Sequence, residues 1–379
     1  MKTNFAIFLV GLGLVVGTAS CKLTTGLLSP SPSPGASAEY LFATSNNQVW
    51  SFSVNSSTGA LSAAAGVTGP ALSYGILGDP AGKYLYVSDT VTDTVHVYSI
   101  STTGSLTEIT ASPYSVGTAV AAPSYNATGL AMDSSGRFLY AADDANNAIA
   151  AFTVNSSTGA LTTVSGAPFT TGSTTQPVQV VVDGSNSFLY SSDVASPLGG
   201  VSAFTLNGSG GLGAVPGFSP FTTLQNGEPV GLTTTGKYLY VAEEFSGKLV
   251  ALSINNIGGL APVPNSPYVV GNNPVGVAVT PSGKYLYVAN NGDSTISAYS
   301  TDSTTGELTA INGSPFAAGA SPWYLTVDPS GQFLYATNPT ANTITGFTIN
   351  SSTGGLTEFS GSATTVGTQP IALTVVTVQ

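Results

Sequence analysis

The chain has 379 residues, of which 42% are hydrophobic, and its seven basic against 18 acidic side chains give a formal net charge of −11. That balance excludes a nucleic-acid surface, which needs clustered Lys and Arg to neutralise phosphates, and it offers no basic patch to anionic lipid. A single Cys excludes a disulfide framework, so the fold must rest on a large apolar core.

Residues 1–20 read as an export signal: Lys2, an apolar run from Phe5 to Gly17, then small residues. The run falls short of the ~20 apolar residues that a membrane span needs. Thr18-Ala19-Ser20-Cys21 resembles a bacterial lipobox, with Thr where Leu is usual, and predicts acylation of Cys21. Ordinary cleavage after Ser20 is the alternative. Residues 21–38 follow as a lipid-anchored tether rich in Ser and Pro, able to reach up to ~50 Å at ~3.1 Å per residue. The expected place is the cell envelope, at the outer membrane or cell surface, with the periplasmic side also open. The acyl chains would then be the only membrane contact.

From Glu39 to Gln379 an aromatic-Leu-aromatic triplet recurs seven times, at Tyr40, Tyr84, Phe138, Phe188, Tyr238, Tyr285 and Phe333, spaced about 44 to 54 residues apart. Several short strands per unit at this spacing predict the blades of a propeller. In the copy from Pro274, PVGVAVT reads as a first strand and KYLYVAN as a second, across the turn at Pro281-Ser282-Gly283. STISAYS then alternates as a third strand, and GELTAIN makes a fourth after DSTTG. VNSSTGAL, printed from Val54 and again from Val154, is the turn between the third and fourth strands; its Asn-Ser-Ser also matches a glycosylation sequon. The fold expected is all-β: a seven-bladed β-propeller with four antiparallel strands per blade.

The two ends of residues 39–379 complement each other. The first copy lacks a Pro-x-Gly strand, and the chain finishes on QPIALTVVTVQ, which is such a strand with nothing after it. Gln369 to Gln379 therefore should supply the innermost strand of the blade that Tyr40 begins, closing the ring as a monomer and removing an open sheet edge.

In such a ring the loops before the first strand and after the second share one face, the near face. Lys83, Arg137, Lys237 and Lys284 all fall in first-to-second-strand turns, on the far face. Just before the first strands the copies read TTQP, NGEP, GNNP, GASP and GTQP, placing Gln176, Glu228, Asn273, Ser321 and Gln369 ahead of Pro. As a ring around the channel mouth, with Trp323 and Tyr324 beside them, Gln176, Glu228, Asn273 and Gln369 suit a neutral polar ligand such as a sugar. The alternative is that they shape the turn.

The loops after the second strands carry Asp89, Asp93, Asp143, Asp144, Asp193, Glu243, Glu244 and Asp293. These oxygens raise the idea of calcium, but no DxDxDG loop occurs and they are spread around the ring, so a solvated, turn-capping edge is expected, with no metal and no cofactor. His96 stands in a third strand and reads as packing or surface. No Gly-x-Ser-x-Gly elbow, HExxH or CxxC pair is present.

The Pro-x-Gly first strand, the Ser-Gly-Lys-Tyr-Leu-Tyr-Val second strand and the Thr-Gly-x-Leu and Ser-Pro-Phe of the fourth resemble the seven-bladed propeller lactonase family, which includes propeller-type 6-phosphogluconolactonases. Tyr287-Val288-Ala289-Asn290 is also similar to the YVTN repeat of surface-layer propellers. The resemblance implies lactone hydrolysis using basic and carboxylate side chains at the channel. This sequence departs there, because a phosphorylated lactone calls for Lys or Arg near its phosphate. Two functions are therefore expected. One is a cell-envelope binding or scaffold module for a neutral polar ligand or an envelope protein. The other is a sugar lactonase with Glu228 as general base on water.

Overall fold

The structure is a computed structural model that describes residues 37–118, 127–194, 199–215, 217, 221–222 and 228–379. The expected export signal, Cys21 and all of the tether before residue 37 lie outside the described residues.

Within them the strands form seven antiparallel sheets, six of which follow chain order from the centre outward. In the sheet from Pro274 these strands are Pro274–Val279, Tyr285–Asn290, Thr295–Thr301 and Leu308–Ala310. The sequence pattern locates all four. It does not show that in six sheets the outer strand is broken into two pieces, both paired to the third strand. Leu308–Ala310 pairs with one end of Thr295–Thr301, and Phe316–Ala317 pairs with the other. In the blade begun by Ala38 the outer strand Leu61–Thr68 is continuous and absorbs the misfit as a register shift opposite Ser51 and Phe52. Two one-turn 3-10 helices, Glu244–Ser246 and Asn291–Asp293, are too short to leave a periodic trace in the sequence.

The closure expected from the chain ends is present. Leu373–Val378 lies antiparallel to Ala38–Ser45, with Ala38 opposite Val378, Leu41 opposite Val375 and Ala43 opposite Leu373. It is the innermost strand of that sheet.

Burial explains why a ring is needed. Five of the seven second strands are buried along their whole length, as in Tyr84–Asp89 and Tyr285–Asn290, because each is covered on both faces by neighbouring blades. The core is accordingly a set of inter-blade clusters. Leu41, Ala43 and Phe52 pack with Phe333, Tyr335 and Ile344 across the joint between last and first blades. A blade by itself would leave both faces wet.

The repeated triplet has a polar task as well. The hydroxyls of Tyr140, Tyr190, Tyr240, Tyr287 and Tyr335 donate to the carbonyls of Gly210, Gly258, Gly306, Gly354 and Gly59, each in the third-to-fourth-strand turn of the next blade. Phe42 has no hydroxyl. Ser51, its cross-strand partner, donates to the equivalent Gly104 carbonyl instead, at 2.8 Å. The glycines are required: Gly59 has φ 72°, and a Cβ there would lie 2.5 Å from the Phe333 ring.

Candidate functional site

The inner strands converge so closely that their second residue after the bend is decided by the neighbouring backbone. A Cβ on Gly231 would lie 1.9 Å from the carbonyl oxygen of Val275, and one on Gly276 would lie 2.5 Å from that of Trp323. This is the physical content of the Pro-x-Gly pattern. Gly75 and Gly129 hold the same position in their blades, and Ala372 holds it in the closing strand. Gln179 and Tyr324 hold it in the remaining two. Their side chains meet, with Gln179 Nε2 donating to Tyr324 Oη at 3.4 Å.

In six blades the residue just before that position faces the opening; in the closing strand Ile371 is buried instead. Tyr74, Thr128, Val178, Val230, Val275 and Trp323 line a near-face cavity of about 320 Å³, with Gln179 and Tyr324 also in its lining. The rings of Tyr74 and Trp323 stand 6.4 Å apart at 59°. Glu228 and Glu244 reach the same cavity. A Glu244 N–H to Glu228 carbonyl bond of 3.0 Å joins the two residues. Both are half-buried. Loss of hydration raises the Glu228 carboxyl above its ordinary range, and the nearby Glu244 charge raises it further. Burial raises Glu244 as well, opposed by a hydrogen bond from the Asn273 side chain.

The model of the seven-bladed β-propeller lactonase family matches residues 48–215 and 230–373, most of the chain. The chain belongs to this family. A putative 6-phosphogluconolactonase from Bacteroides fragilis NCTC 9343 superposes with a TM-score of 0.76 at 19% identity, over 91% of this chain and 99% of that one. A second, from Bacteroides uniformis ATCC 8492, gives 0.75 at 19%, over 90% and 99%. The periplasmic gluconolactonase of Pseudomonas aeruginosa gives 0.74 at 16%, over 90% of this chain and 100% of that one. At such identities the likeness shows the fold. No curated protein matches the sequence.

In this lactonase-family chain the structure gathers Glu228, Trp323 and Tyr324 at one cavity and leaves Gln176, Asn273 and Gln369 out of its lining. The residues ahead of Pro are turn residues, and one of them, Glu228, also lines the cavity. Gln176, Glu228, Asn273, Ser321 and Gln369 all take positive φ, between 49° and 57°. The Gln176 and Gln369 N–H groups donate to the side chains of Asn147 and Asn342, at 3.0 and 2.8 Å. The Gln369 side chain accepts from Asn46 at 3.1 Å. Sequence reading missed Tyr74, Thr128, Gln179 and the pairing of Glu244 with Glu228. The usable signal was the two large residues at a position that elsewhere holds Gly or Ala.

Of the expected solvated, turn-capping edge the capping is present, as at Asp89, Asp143 and Asp293, but the solvation is not: Asp89, Asp93, Asp143, Asp144, Asp193 and Glu243 are buried, Glu244 is half-buried and Asp293 alone of the eight is exposed. Asp89, Asp143, Asp193, Glu243, Asn290 and Asn338 all end a second strand, and Asp89 and Asp143 accept from the loop after it, at Val91 and Asn146. Asp193 accepts from Ser191 at 2.8 Å and from Ser202, while Asn290 and Asn338 donate to Ser297 and Thr345, at 2.9 and 2.8 Å. The position thus takes acid or amide alike. Burial lifts Asp193 to about 7. Among the described residues no group of three or more His, Cys, Asp or Glu could hold a metal ion.

His96 lies outside the cavity lining. Its Nδ1 is 2.7 Å from Glu108 Oε1 and its Nε2 is 3.8 Å from Asp89. Lys83, Arg137, Lys237 and Lys284 are exposed in far-face turns, so the cavity lining carries no cationic side chain among the described residues.

Proposed function

We propose that this propeller hydrolyses an uncharged sugar lactone in the near-face cavity, with Glu228 and Glu244 as its working carboxyl pair. The observation that carries the reading is the meeting of two half-buried carboxyls, each raised above the ordinary range, in one cavity with the Trp323 and Tyr74 rings. Aromatic faces suit the apolar C–H faces of a sugar ring. The cationless lining suits a substrate without phosphate.

The Glu244 charge raises the Glu228 carboxyl further than burial alone, which makes Glu228 the more readily protonated of the two. Asn273 favours the charged form of Glu244, and nothing comparable favours the charged form of Glu228. Glu244 is therefore the base and Glu228 the acid. As a water oxygen bonds to the lactone carbonyl carbon, its proton passes to Glu244. When the ring C–O bond breaks, the departing alkoxide takes the proton of Glu228. The products are a hydroxyl and a carboxylic acid, which ionises. The Gln179 amide and the Tyr324 phenol, both in the cavity lining, would donate to the developing oxyanion.

The experiment is acid release from glucono-δ-lactone by the purified protein, followed at constant pH. Turnover well above the spontaneous rate, lost in Glu244→Gln and in Glu228→Gln, supports the reading. A rate equal to buffer alone across a panel of sugar lactones sinks it.

The second reading is a binding module for a neutral sugar, favoured by the same cationless, aromatic lining; it predicts saturable binding with no turnover. We also propose that the protein is exported and lipid-anchored through Cys21, on the strength of its first 21 residues. Labelling with a radioactive fatty acid, lost in Cys21→Ala, tests this.

A further inference from the structure

The cavity at the mouth has a counterpart beneath it. A second space of about 340 Å³ occupies the far half of the channel, lined by inner-strand residues such as Ile76, Leu130, Val180 and Thr326. Five residues line both cavities, the apolar Leu232, Val277 and Leu325 and the polar Gln179 and Tyr324. Gln179 and Tyr324 are the two residues that break the Gly or Ala rule of the inner strands, and their contact spans the channel from one blade to another three blades along.

Gln179 fits because Gly129 beside it has no side chain: a Cβ there would lie 1.8 Å from Gln179 Oε1. Burial keeps the Tyr324 phenol protonated, so it remains a donor. At 3.4 Å the bond between them is at the long, weak end of the range and is easily exchanged for a bond to a ligand.

We propose that Gln179 and Tyr324 form a crossbar that floors the ligand site, limiting it to a lactone of one sugar ring and presenting an amide and a phenol to that ring's polar groups. This rests on the mouth cavity being the ligand site. A volume of about 320 Å³ lies at the small end of the ~300–1,000 Å³ typical of small-molecule sites, and in this proposal the crossbar keeps it apart from the space below. Merged, the two cavities would accept a longer guest. The crossbar is thus a specificity device, acting on the size of the ligand and on the orientation of its ring.

Gln179→Gly tests this directly, because Gly is the residue that four sister blades carry at the same place. Tyr324→Phe removes the hydroxyl alone and keeps the ring packed. Affinities for glucono-δ-lactone and for the two-ring maltobiono-δ-lactone are measured by calorimetry on wild type and both variants, with thermal melts to verify folding. Wild type is expected to favour the one-ring lactone at least tenfold. Gln179→Gly should cut that preference by tenfold or more, and Tyr324→Phe should weaken the one-ring lactone by about threefold to tenfold while keeping the preference. A folded Gln179→Gly protein that binds glucono-δ-lactone with an unchanged preference overturns the crossbar and leaves the functional reading standing. A wild type that binds neither lactone overturns the functional reading and the crossbar with it.

Discussion

The hydroxyl of Tyr335 donates to the carbonyl of Gly59, 2.8 Å away, across the joint where the last blade meets the first. It is the ring-closing member of the set of tyrosine clasps, and it works beside the pairing of Leu373–Val378 with Ala38–Ser45. Two separate devices thus hold one joint, a ladder at the centre and a buried phenol further out. Removing the hydroxyl leaves the Gly59 carbonyl without this donor, so Tyr335→Phe should lose about 1 kcal/mol. Urea unfolding checks this. The change should cost no more than Tyr240→Phe, whose bond is the longer 3.4 Å, only if the clasp has no special role at the closure.

Deleting residues 373–379 should be far more damaging, because it bares the inner edge of a sheet and empties part of a buried cluster that includes Leu373. We expect loss of a cooperative transition, or association through the freed edge. A monomer melting at the wild-type temperature would contradict ring closure by the tail.

Gly231→Ala should destabilise by about 2–4 kcal/mol, since the new methyl would sit 1.9 Å from a backbone carbonyl that has no rotamer by which to withdraw. Thermal melts of this variant beside Ala372→Gly would show whether the inner-strand position is sized for the neighbour or merely small.

Asp193 makes stability fall with rising pH. Its folded value, about 7, lies above the 3.8 of an ordinary carboxyl, so its contribution is complete below about pH 4 and is lost as pH climbs through 7. Asp193→Asn should abolish that loss, as Asn290 and Asn338 show that an amide fits the position. The variant should gain on the order of 1–4 kcal/mol over wild type at pH 8 and little at pH 4. Denaturant titrations at both pH values decide it.

In the carboxyl pair, Asn273→Ala removes a bond that holds the Glu244 pKa down. The acid limb of kcat/KM should therefore move to higher pH, by up to about one unit, with the alkaline rate little changed. Glu244→Gln should lower the rate by about 10²–10⁴ at every pH. A profile unmoved by Asn273→Ala would remove Glu244 from the role of base.

Much was legible in the primary structure because propeller geometry repeats. The triplets, the first-to-second-strand turns such as Pro281-Ser282-Gly283, and the orphan strand at the end of the chain are local patterns multiplied by blade number. They therefore determined the fold class, the closure and the far-face placing of Lys83, Arg137, Lys237 and Lys284. The cavity was decided by the tertiary structure. Gln176, Glu228, Asn273 and Gln369 share one turn conformation, yet only Glu228 lines the cavity, and nothing local in the sequence separates it from the other three. Burial of the acids at the ends of the second strands likewise follows from neighbouring loops, which a linear pattern does not contain. Gln179 and Tyr324 stand 145 positions apart in the chain. Only closing the ring brings amide to phenol, because contact across an axis is a property of the circle and of none of its blades.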